Sequence, residues 1–185
     1  MRFNFITSFL IISCLVLSSS INKSILTCAV DPKKHVTKEY LSNICSKSSN
    51  PYLCLHVLKD LIGHPLAKTT FSTLAIRPIS MAEPHARETR KMIETMYHGL
   101  IDPNREVRDR YRSCIVRYDD VIKYMVEAKR YLKSGDYKKV KSYASGALNR
   151  VNSCDKNFAK PPPEPLNLRN ANKKFKDLCS IIVTI

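Results

Sequence analysis

With 185 residues the chain has room for one domain of ordinary size plus a short leader, which excludes a second large domain. Lys and Arg outnumber Asp and Glu by 31 to 16, for a formal charge of +15 at pH 7, a balance that suits acidic polymers, anionic membranes or an acidic protein face, or simply a well-solvated surface. Nucleic acid fits poorly, because the basic residues come with neither zinc-finger spacing nor an aromatic RNA-binding motif.

Residues 1–20 place one positive charge, Arg2, before a short apolar run and close on Ser18-Ser19-Ser20, the order of a secretory signal peptide. Cleavage is expected after Ser20 and at the latest after Ala29, leaving an extension over 21–37 and a domain over 38–185. The apolar run falls short of the ~20 residues a bilayer span needs, and Ile181–Ile185 is shorter still, so no membrane-spanning segment is expected. Asn22-Lys23-Ser24 is a glycosylation sequon close to the cleavage region.

Four glycines and few polar-apolar alternations give strands little support. Tyr40, Leu41 and Ile44 lead to Cys45, the polar turn 46–50 follows, and Pro51-Tyr52-Leu53-Cys54 begins a second short helix with Asn50 as its cap. Phe71, Ala75, Ile79, Ala82, Ile93, Met96 and Leu100 outline a long helix, expected to be bent or split by Pro78 and Pro84. Tyr111, Ile115, Tyr118, Ile122, Met125, Lys129 and Leu132 recur at helical spacing and predict a helix over about 104–132. Ser134-Gly135-Asp136 then supplies a stop and a new N-cap, after which Tyr137, Val140, Ala144, Ala147, Val151 and Cys154 repeat the spacing. Pro161-Pro162-Pro163-Glu164-Pro165 lacks amide donors and makes an extended connector to a last helix carrying Leu168, Ala171, Phe175, Leu178 and Ile182. The expected fold is all-α: an up-down four-helix bundle with an N-terminal helical hairpin.

Of seven cysteines, Cys14 lies in the leader, and in an oxidising compartment the other six are read first as disulfides. In an antiparallel hairpin, residues equidistant from the turn lie side by side, and a disulfide needs a Cα separation of ~5–6 Å. Cys114 and Cys154 each stand twenty positions from Ser134, and Cys45 and Cys54 are symmetric about the turn between Ser49 and Asn50. These are the two expected bonds. Cys179 is expected to be a free, packed thiol, with a Cys28–Cys179 bond as the alternative.

No catalytic, cofactor or metal site is expected. There is no Gly-x-Ser-x-Gly elbow, and His35, His56, His64, His85 and His98 lack the spacing of a helical zinc site. Asp119 and Asp120 are neighbours on one helix and point about 100° apart, which suits solvated charges better than an acid/base pair.

From about Lys38 onward the sequence resembles the plant invertase and pectin methylesterase inhibitor family. The resemblance is carried by Cys45 and Cys54 with eight residues between them, Pro51-Tyr52-Leu53-Cys54, Cys114 with Tyr118 and Val121, Ser134-Gly135-Asp136-Tyr137, Ser145-Gly146-Ala147-Leu148 and Cys154-Asp155. It implies a secreted four-helix bundle with an amino-terminal hairpin and the same two disulfides. It also implies stoichiometric inhibition of a wall enzyme by covering its substrate cleft, in the apoplast and cell wall or in the vacuole. Invertase inhibitors of this kind carry Pro-Lys-Phe after the Gly-Asp turn, where this chain has Tyr137-Lys138-Lys139, so the resemblance favours pectin methylesterase over acid invertase as partner. Tyr137, Lys138 and Lys139 are the expected target-contact region, with Tyr137 equally readable as a packing residue. The reading from another class is a non-inhibitory basic module held electrostatically on acidic pectin. Two departures from the family pattern are the prolines at 78 and 84, in a helix that is usually continuous, and Gly146 where alanine is common.

Overall fold

Six α-helices account for most of the residues that the computed structural model describes, which are 38–62, 71–101 and 104–185. The leader, the extension over 21–37, the sequon, Cys14 and Cys28 lie outside the described residues. The helices are α1 (Lys38–Lys47), α2 (Pro51–Ile62), α3 (Phe71–His98), α4 (Arg105–Lys133), α5 (Tyr137–Lys156) and α6 (Leu166–Thr184). Helices α3 to α6 close a ring in which α3 packs on α4, α4 on α5, α5 on α6 and α6 on α3, and the α1–α2 hairpin rests on α6 and α3.

Apolar residues three or four apart drive that arrangement, since each helix must hide one stripe from water. Leu74, Ile79, Ala82 and Ile93 of α3 and Tyr118, Val121, Met125 and Ala128 of α4, two helices that pack on each other, are all fully buried. Ala144, Ala147 and Val151 of α5 and Leu168, Phe175, Leu178 and Ile181 of α6 close the core. On α4 the buried stripe runs through Val121 and Ala128, while Ile115, Ile122 and Lys129 sit half-buried at its margin.

The expectation that the prolines could split α3 is corrected, because the helix continues through Pro78 and Pro84 as one element. Each proline removes one amide donor. Buried residues on both sides of the two rings, Leu74 and Ala75 before them, Ile79 and Ala82 between them, and Ala86 and Ile93 after them, hold the segment against the bundle. Burial of that stripe, worth about 1.5–3 kcal/mol for each large side chain, outweighs the lost hydrogen bonds.

Both turns that organise the hairpins have local causes. Asn50 caps α2 by accepting from the Leu53 amide at 3.0 Å, with Pro51 at the first helical position. At the end of α4, Gly135 takes φ +75°, its amide donates to Leu132 O, and the Asp136 amide donates to Tyr131 O. That paired closure is a Schellman motif, and its left-handed residue favours glycine. Asp136 then caps α5, its side chain accepting from the Lys139 amide at 3.1 Å.

Two disulfides brace these turns. Cys45–Cys54 spans 5.3 Å between Cα atoms and Cys114–Cys154 spans 4.9 Å. Cys179 is buried with its thiol free, and burial pushes its pKa up, so the reactive thiolate is suppressed.

Long-range polar contacts fix the remaining pieces. The connector between α5 and α6 is gripped by Arg110, whose guanidinium donates to Lys160 O at 2.8 Å, Pro161 O at 3.2 Å and Pro162 O at 3.3 Å. Asn172 lies in the core, accepting from the Tyr118 hydroxyl at 2.5 Å and donating to Asp155 at 2.6 Å and Glu164 at 2.7 Å. Both of its amide hydrogens are therefore used, as burial demands. The hairpin is held at Asp177, which accepts from Ser49 Oγ at 3.0 Å, Asn50 Nδ2 at 2.9 Å and Lys173 Nζ at 2.9 Å.

Candidate functional site

Asp119, Asp120 and His85 are held in structural contacts. Asp119 pairs with Arg90 of α3, while Asp120 pairs with Arg150 of α5 at 3.2 Å, so the neighbouring acids diverge towards different helices. His85 Nε2 meets Ala171 O at 2.9 Å, tying α3 to α6. Among the described residues no group of three or more His, Cys, Asp or Glu side chains could hold a metal ion.

What the surface does offer is the α4–α5 hairpin. Tyr137, the first residue of α5, is half-buried, and its hydroxyl lies 2.8 Å from Ser72 Oγ, which fastens the turn to the start of α3. Lys138 and Lys139 are exposed, and Lys139 Nζ reaches Asp136 at 3.4 Å. Of the three expected contact residues, Tyr137 therefore has an anchoring contact while the two lysines face solvent.

A tyrosine seam beside them was not foreseen from the sequence. Tyr131 of α4 stacks on Tyr143 of α5, with ring centroids 5.4 Å apart and planes 15° apart, and Tyr143 meets Tyr124 edge to face at 5.8 Å. Tyr131 also lies under two cations, Arg130 at 4.1 Å and Lys139 at 4.6 Å from its centroid. Gly146 makes room for the seam, because a Cβ there would stand 3.0 Å from Tyr124 Cε2. Desolvation and then the neighbouring Tyr131 raise the pKa of Tyr143. The signal lay in two stripes at matching intervals, 120-124-127-131 on α4 and 139-143-146-150 on α5; the register between them needed the structure.

Such a surface is suited to binding. Tyrosines and arginines held in fixed rotamers are the residue types that carry protein–protein contacts, since they bury much area for little lost side-chain freedom.

Comparison with known proteins bears on what is bound. The family model described as plant invertase/pectin methylesterase inhibitor matches residues 39–185. A pectinesterase inhibitor of Actinidia deliciosa is 32% identical over 185 residues, covering 100% of this chain and 96% of that protein. Pectinesterase inhibitor 1 of Arabidopsis thaliana is 30% identical over 154 residues, covering 81% of this chain and 82% of its own. Among solved structures, a mutant form of a pectin methylesterase inhibitor from Arabidopsis is similar at a TM-score of 0.68 and 28% identity, over 78% of this chain and 93% of that one.

Proposed function

Because this chain belongs to the plant invertase/pectin methylesterase inhibitor family, we propose that it inhibits a pectin methylesterase by one-to-one binding over the substrate cleft. The observation that carries this reading is the likeness to a pectinesterase inhibitor over the whole chain. The residues of the α4–α5 turn agree, since Tyr137-Lys138-Lys139 lacks the proline and phenylalanine of the invertase-directed motif.

Inhibition by occlusion requires a shape that changes little on binding, because every side chain ordered at the interface costs affinity. Two disulfides, a glycine-closed turn and a ring of buried contacts supply that rigidity. Lys138 and Lys139 form the contact region beside the tyrosine seam, and Tyr137 holds them in place through Ser72. In this reading residues 1–20 direct secretion to the apoplast and wall, 21–37 form a short extension, and 38–185 form the inhibitory domain.

The test adds the oxidised protein, beginning at residue 21, separately to a pectin methylesterase and to an acid invertase, at wall-like and at neutral pH. The expected result is stoichiometric loss of esterase activity with invertase unaffected. Loss of invertase activity alone, or of neither, would overturn the reading.

A further inference from the structure

The end of the bundle where α4 turns into α5 carries a concentration of positive charge that an occluding contact does not by itself require. Residues 129–141 hold six cations, Lys129, Arg130, Lys133, Lys138, Lys139 and Lys141, against one carboxylate, Asp136. Three of the cations are locally balanced: Arg130 by Glu127 at 2.5 Å, Lys139 by Asp136 at 3.4 Å and Lys129, loosely, by Glu83 at 3.9 Å. Lys133, Lys138 and Lys141 are exposed, and among the described residues no carboxylate lies within ion-pair distance of any of them.

The three stand within nine residues on the two helices that the tight turn joins. Lys133 is the last residue of α4, and Lys138 and Lys141 stand three apart on the first turns of α5, so that they share one helical side. The backbone beneath them is fixed by the Gly135 closure, and Arg130 and Lys139 are held against Tyr131 instead of moving freely. Lys133, Lys138 and Lys141, carried on helix ends whose backbone is already fixed, meet a polyanion with less backbone entropy to lose than lysines on a loop.

We infer that the α4–α5 turn is a binding surface for a uronic-acid polymer, with Lys133, Lys138 and Lys141 as the contacting cations. The choice of polymer rests on the proposed target: a pectin methylesterase removes methyl esters and leaves carboxylates, so its product carries the charge that this surface lacks. Carboxylates of this kind are ionised above about pH 4, so the attraction persists in mildly acidic surroundings. Methyl-esterified polymer offers no such charge and should bind weakly. The surface would thus hold the protein on stretches of wall where esterase has already acted.

The experiment measures binding of the oxidised protein to polygalacturonate, to highly methyl-esterified pectin and to poly-glutamate of matched charge. The variant Lys133→Gln/Lys138→Gln/Lys141→Gln is compared with Lys47→Gln/Lys59→Gln/Lys174→Gln, which removes the same charge from exposed sites on α1, α2 and α6. The turn variant should bind polygalacturonate about tenfold more weakly, as loss of three modest exposed ion pairs would produce, and the control within about twofold of the parent. Equal losses in the two variants, equal binding to esterified pectin, or equal binding to poly-glutamate would each overturn the inference. Parent protein that inhibits the esterase yet does not bind polygalacturonate sinks this inference alone. Parent protein that binds the polymer without inhibiting the esterase sinks the proposed function and keeps the surface.

Discussion

Removing the Cys114–Cys154 bond should cost more than removing Cys45–Cys54, although the shorter link belongs to the more peripheral unit. The two bonds close segments with sequence separations of 40 and 9. Chain-entropy bookkeeping assigns the longer loop about 3.9 kcal/mol and the shorter about 2.6 kcal/mol, a difference of about 1.3 kcal/mol. All four cysteines are buried, between 0% and 2% exposed, so replacing either pair by alanine removes a similar volume from a similar environment. The packing loss largely cancels in the comparison, and loop length remains. Urea unfolding of the parent, of Cys114→Ala/Cys154→Ala and of Cys45→Ala/Cys54→Ala, followed by helical circular dichroism, measures the difference. In a thermal melt it corresponds to roughly 3–5 °C for a chain of this size. A Cys45→Ala/Cys54→Ala variant less stable than its counterpart would refute the reasoning, because hairpin docking and not loop closure would then dominate.

Two further outcomes follow from local geometry. Gly146→Ala gains about 1 kcal/mol of helix propensity but presses on the Tyr124 ring, which must give by a few tenths of an ångström, so its benefit should be smaller in the parent than in a Tyr124→Ala background. Equal effects of Gly146→Ala in both backgrounds would mean that Tyr124 does not feel the added methyl group. Burial pushes the Asp177 pKa up, but hydrogen bonds from Asn50, Lys173 and Ser49 outweigh it and leave the carboxyl below its ordinary value. Its contribution to stability is therefore present above the unfolded-state pKa near 4 and is lost as pH falls through the lower folded value. Asp177→Asn should cost about 1.5–3 kcal/mol at neutral pH and flatten the decline of melting temperature in acid. Parallel curves for parent and variant would show that Asp177 holds no charge-dependent contact.

Much of the architecture was legible because its causes are local. Helical spacing marks α4, α5 and α6, Asn50-Pro51 and Gly135-Asp136 mark the turns, and the positions of Cys45, Cys54, Cys114 and Cys154 are symmetric about them. The continuity of α3 was not legible, since proline propensity is read from the chain while the burial that overrides it comes from α4 and α6. The tyrosine seam escaped for a related reason. Tyr124, Tyr131 and Tyr143 become one cluster only when α4 and α5 are set in register. Nor does any spacing rule foretell that Arg110 grips three consecutive carbonyls some fifty residues away.

The anchoring of the α1–α2 hairpin has a consequence for the order in which the molecule is assembled. Its partners lie at the opposite end of the chain: Ser49 reaches Asp177 across 128 positions, and Tyr40 reaches the Ile185 carbonyl across 145. Synthesis proceeds from the amino terminus, so the hairpin emerges first, while its seat is made last. The Cys45–Cys54 link needs only neighbouring sequence and can close at once, and α2 can meet α3 early, but the part of the hairpin that rests on α6 stays uncovered until the final helix arrives. A nascent chain of this protein therefore carries its earliest-made element as its last loose part, and a truncation near the carboxyl terminus would be felt first at residues 40–50.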